Sequence, residues 1–149
     1  MNARAIVLDA NILIRAVLGN RVRKLILEHA PTTQFFAPDV AYEDARRYLP
    51  ELLEKRGLDS SVAMAVLDSL EKVVLSLDRG LYERLQEEAL RRIAIRDADD
   101  WPVLACAMVI DCPIWTEDTD FFGTGVATWT SDPVELYLHS DIVKKSLPS

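Results

Sequence analysis

Short apolar runs that stop at an acidic residue are the feature that most constrains this chain. Ala5–Leu8 is one, cut off by Asp9, and Ile114–Thr116 is another, ending in Glu117 and Asp118. Gln34–Ala37 and Ala127–Thr130 read as similar strands. The segments between them carry apolar residues three and four apart, the period of a helix packed on one side. Apolar strands separated by helices are the signature of a parallel sheet covered on both faces. The pattern predicts an α/β fold, a three-layer α/β/α arrangement around four or five parallel strands. A chain of 149 residues, half of them hydrophobic, suits a single domain spanning residues 1–149.

Helices are expected from about Asn11 to Leu18 and from Val22 to His29. The next opens at Pro38 and Asp39 and carries a stripe of Ala41, Ala45, Tyr48, Leu49 and Leu52, with Pro50 placed to kink or interrupt it. Asp59 and Ser60 can cap a helix whose apolar face is Val62, Val66, Leu70, Val73 and Val74. Another runs from about Leu81 to Arg92. The segment WPVLACAMVI after Asp99 and Asp100 is apolar all round and therefore buried. Asp132, Pro133 and Glu135 open a last short helix.

In an open parallel sheet, ligands bind beyond the carboxyl ends of the strands, where the strand order reverses. Asp9 and Asp118 stand at such ends. Asp100 stands at the start of the buried helix that feeds the second of these strands, where capping alone could account for it. Glu43 lies one turn into a helix that follows a strand end and, at 100° per residue, points away from the apolar stripe, so it could enter the same crevice from the side. Carboxylates that converge cannot all stay ionised without a counter-charge. An oxygen-only set, without histidine or cysteine, suits Mg²⁺ or Mn²⁺. Cys106 and Cys112, with only His29 and His139 elsewhere, offer neither a disulfide framework nor a zinc site.

The segments IVLDANIL (6–13), VAYEDA (40–45), RDADDWPVLACA (96–107) and IWTEDTDFFG (114–123) together resemble the PIN-domain family, which includes the VapC toxins of toxin–antitoxin pairs. They occur in the family's order and span nearly the whole chain. The resemblance implies a Mg²⁺- or Mn²⁺-dependent endoribonuclease whose four catalytic acids are Asp9, Glu43, Asp100 and Asp118. Asp9, Asp100 and Asp118 would be the metal ligands, and Asn11 and Thr116 would support them. Asp97 competes with Asp100 for the third position, and Asp120 with Asp118 for the fourth. It further implies an RNA substrate, an antitoxin partner and a homodimer. A stand-alone ribonuclease of RNA processing and a catalytically silent PIN module that acts by docking are the alternatives. A phosphatase of the haloacid-dehalogenase type would need a second Asp where Asn11 stands.

The net charge of −7 argues against indiscriminate binding to nucleic acid, but not against a nucleic-acid substrate held by metal and a local basic strip. Arg15, Arg21, Arg23 and Lys24 are candidates for that strip, with a solvated helix face as the competing reading. No apolar run reaches the roughly 20 residues of a membrane span. The N-terminus lacks the pattern of a secretory signal. A cytoplasmic location is the expectation.

Overall fold

The computed structural model describes residues 4–93 and 96–139. Among these, β1 (Arg4–Leu8), β2 (Thr33–Pro38), β3 (Val74–Leu77), β4 (Ile114–Trp115) and β5 (Thr128–Trp129) form one parallel sheet in the order β3-β2-β1-β4-β5. The chain therefore winds outward from β1 in one direction, then returns to β1's other edge for β4 and β5. The reversal opens a crevice beyond the carboxyl ends of β1 and β4.

The alternation of side chains along a strand sends Ile6 and Leu8 to one face and Val7 to the other. Ile6 and Leu8 join a core built from α1 (Ala10–Leu18), α2 (Arg21–His29), α3 (Asp39–Lys55) and α4 (Ser60–Leu70). Val7 joins a second core with α5 (Arg79–Tyr82), α6 (Gln86–Ile93) and α7 (Trp101–Ile110). These are the two outer layers. Residues 102–107 of α7 are buried, as an all-apolar helix must be. Trp115 is fully buried in the first of these cores, and its indole N–H donates to Ser131 Oγ at 3.1 Å. Burying a large apolar side chain contributes roughly 1.5–3 kcal/mol, so the two-residue strand β4 is held by its packing more than by its ladder.

Several local expectations need correction. Val73 and Val74 continue the helical spacing from Leu70, yet α4 ends at Leu70 and Val74 begins β3. This edge strand buries Val74 and Leu77 and exposes Leu75 and Ser76, so it never shows period-two alternation. Pro50 does not interrupt α3. It forfeits the bond to the Arg46 carbonyl, but Leu49 and Leu53 on the same helix are buried in the core and carry it through. Tyr42, not Tyr48, is the buried tyrosine of α3, its hydroxyl donating to the Val74 carbonyl at 2.6 Å. The single helix expected over Leu81–Arg92 is two, α5 and α6, joined by a 3₁₀ turn at Glu83–Leu85. Residues 134–139 are helical, and residues 140–149 lie outside the described part of the chain.

Candidate functional site

Asp9 is the residue at which β1 becomes α1. Its Oδ1 accepts the Ala10 N–H at 2.7 Å, so it does cap the helix. Capping uses one oxygen. The other, Oδ2, accepts from Thr116 Oγ1 at 2.9 Å and from Asn11 Nδ2 at 3.2 Å. Asp9 is thus buried and held in one orientation. Burial raises its pKa, with the charges of Asp118 and Asp44 acting in the same direction and the bonds from Thr116 and Ala10 opposing them.

Thr116 ties the two strand ends together. While its hydroxyl donates to Asp9, its oxygen accepts the Asp118 N–H at 3.0 Å and Asn11 Nδ2 at 3.4 Å. Asn11 reaches onward, its Oδ1 accepting the Glu117 N–H at 3.4 Å. Asp118 in turn caps a 3₁₀ turn at Thr119–Phe121 by accepting the Asp120 N–H at 2.9 Å. Asn11 and Thr116 thus both hydrogen-bond to the Asp9 carboxylate, and Thr116 also to the Asp118 backbone.

Asp100 is different. It precedes α7 but makes no capping bond; the cap of that turn is Asp97, whose side chain accepts the Asp99 N–H at 3.0 Å. Asp100 Oδ2 is buried without a hydrogen-bond partner. A buried oxygen in that state costs free energy unless something unseen satisfies it. Burial, reinforced by Asp9, Asp97, Asp118 and Asp120, pushes the Asp100 carboxyl up to about 8.

One oxygen each from Asp9, Asp100 and Asp118 lies within 4.8 Å of the others. Asp97, Asp100 and Asp120 meet the same limit. Opposed oxygens of a hydrated Mg²⁺ shell stand about 4 Å apart, so both groups have the dimensions and the oxygen-only chemistry for a divalent ion. Asp100 belongs to both. Asp97 and Asp120 therefore extend the cluster and need not displace its members. Burial and Asp118 raise the Asp120 carboxyl as well, against Arg96 nearby.

Glu43 is not brought into this cluster. It is exposed on α3, whose acid acting on Asp9 is Asp44. The reason is rotational. Arg46 pairs with Asp68 and Glu71, which fixes one flank of α3 against α4. At 100° per residue Glu43 lies 60° from that flank and Asp44 160° away from it, toward the crevice. The adjacent acid in VAYEDA is visible in the sequence, but which flank faces the strands is not.

The basic candidates separate too. Arg21 pairs with Asp132, Arg23 donates to the Ala16 carbonyl and Asn20, and Lys24 pairs with Glu28. Arg15 is exposed.

A winding parallel sheet with acids gathered beyond its reversal defines an α/β domain with an acidic crevice at its carboxyl end. The model of the PIN domain matches residues 7–139, and the chain belongs to the PIN-domain family. Among solved structures it is similar to VapBC2 from Rickettsia felis bound to a DNA fragment from their promoter, with a TM-score of 0.59 and 13% identity over 85% of this chain and 98% of that one. It is similar also to FitAB bound to an IR36 DNA fragment, with a TM-score of 0.59 and 20% identity over 85% of this chain and 94% of that one. No curated relative matches it in sequence. Among the described residues no helix is long and apolar enough to cross a membrane.

Proposed function

We propose that this protein is a divalent-cation-dependent endoribonuclease and the toxin of a VapBC-type toxin–antitoxin pair. The observation that carries the catalytic half is the buried, unpartnered Asp100 oxygen within a triad of carboxylates. Three acids share one crevice without a basic partner among the described residues, an arrangement that calls for a cation. Asp9, Asp100 and Asp118 would hold Mg²⁺ or Mn²⁺, and such an ion supplies an activated water and charge neutralisation at a phosphodiester.

The chain's own groups provide the rest. Thr116 and Asn11 aim Asp9, and Thr116 fixes Asp118 relative to it. Asp44, paired with Arg47 at 3.0 Å, acts on Asp9 from the α3 side and would take the place among the four acids that the family resemblance gives to Glu43. Asp97 and Asp120 widen the cradle around Asp100.

RNA as substrate and an antitoxin as partner rest on the family resemblance and on the VapBC2 and FitAB neighbours. The test uses purified protein with single-stranded RNA and with DNA of the same sequence, in Mn²⁺, in Mg²⁺ and in EDTA. RNA cleavage that needs the ion is the expected result; cleavage that persists in EDTA would overturn the metal site. Expression of the chain alone should arrest growth, and a co-expressed product of the neighbouring reading frame should relieve the arrest.

A further inference from the structure

Despite the net charge of −7, one open groove of about 540 Å³ is lined by three arginines, Arg15, Arg21 and Arg56. Glu117 lines it as well, and the Glu117 N–H donates to Asn11 Oδ1 at 3.4 Å, so groove and acid cluster share a wall. The groove's two carboxylates are engaged. Glu117 Oε1 accepts the Ser131 N–H at 2.8 Å, and Asp132 pairs with Arg21 at 2.7 Å. Arg15 and Arg56, by contrast, have no hydrogen-bond or ion-pair partner for their guanidinium groups among the described residues. Exposed Leu18 and half-buried Ile14 supply apolar surface between them, with Val22 buried beneath.

Unengaged guanidinium groups facing a groove beside an acidic centre are matched to a polyanion that must cross that centre. An arginine fork fits a phosphate with two parallel hydrogen bonds. Exposed apolar surface between such forks suits unpaired bases better than a duplex, whose base faces are stacked away.

We propose that this groove carries the single-stranded RNA flanking the scissile bond, with Arg15 and Arg56 each taking a backbone phosphate. The proposal rests on the ribonuclease reading and names the substrate's path. Arg56 enters as a binding residue, and Lys24, outside the groove, leaves the set.

The experiment compares the wild-type chain with Arg15→Gln, Arg56→Gln, the double variant and Lys24→Gln, using a labelled single-stranded RNA in Mn²⁺ at several salt concentrations. Thermal melts confirm that each variant is folded. The double variant should raise KM about tenfold and leave kcat within about twofold, and each arginine removed should lower the slope of log affinity against log salt by about 0.7. Lys24→Gln should match the wild type. If the wild type cleaves RNA and the double variant keeps its KM and salt slope, the groove assignment alone falls, and the groove belongs to something other than RNA. If the wild type neither binds nor cleaves RNA, the ribonuclease reading falls and the groove with it.

Discussion

Two acidic neighbourhoods of this chain use the same residue types to opposite effect. On the outer surface, Asp68 and Glu71 close around Arg46, and Glu88 is bracketed by Arg91 and Arg92, which hold its carboxyl below the usual range. In the crevice at the ends of β1 and β4, Asp9, Asp100 and Asp118 gather without one basic partner among the described residues, and burial drives Asp9 and Asp100 upward. The surface groups are electrostatically complete, and the crevice is not. The overall charge of −7 cannot distinguish the two; what distinguishes them is where counter-charge is missing.

The largest effect should come from breaking the incomplete group. Asp9→Asn is expected to cut metal-dependent RNA cleavage by more than about 100-fold, beyond what loss of a mere orienting partner costs, with circular dichroism unchanged. Cleavage at the wild-type rate by a folded variant would remove Asp9 from the site.

The α3 acids sharpen where the incomplete group ends. Asp44→Asn should slow cleavage by on the order of tenfold, as for a group acting at the edge of a metal site. Glu43→Gln should match the wild type in the same assay. The reverse ranking would return Glu43 to the site.

Metal should complete the crevice and leave the surface untouched. At a Mn²⁺ concentration 100 times its Kd, the wild type should gain about 2.7 kcal/mol of stability, read as a higher Tm, and Asp100→Asn should gain much less. In EDTA the order inverts with a definite pH dependence. The folded protein holds a proton on Asp100 up to about pH 8, whereas an unfolded aspartate releases it near the ordinary value of 3.8. Between these limits the folded state binds more protons, so wild-type stability falls as pH rises. The Tm advantage of metal-free Asp100→Asn should therefore grow from about pH 5 to about pH 8. An advantage that stays flat with pH would show that Asp100 is already satisfied.

The smallest effect belongs to the complete group. Arg46→Ala should cost less than about 1 kcal/mol, because its partners are exposed and solvent screens them, and its cleavage rate should be that of the wild type.

The legible part of this molecule was whatever one segment could state by itself. Ala5–Leu8 followed by Asp9, and Ile114–Thr116 followed by Asp118, announced both the sheet and the two acids at its edge. The all-apolar run after Asp100 announced a buried helix, and with it the position of the third acid. What stayed hidden depended on a second segment. β3 was masked because an edge strand with two exposed central residues imitates the end of a helix. The nearness of Asp44 to Asp9 was masked because placing it ahead of Glu43 required knowing that Arg46 turns toward α4. Arg56 was masked because a residue at the end of α3 meets α1 only after folding.

The placement of β1 at the centre of the sheet has a consequence for the ribosome. The hydrogen bond from Thr116 to Asp9 joins residues 107 positions apart. A growing chain at about 5–20 residues per second carries Asp9 for several seconds before its partners exist, and more of the chain must clear the exit tunnel before they can meet. The acidic centre is therefore among the last features a nascent copy can assemble, and prematurely terminated copies are born without it.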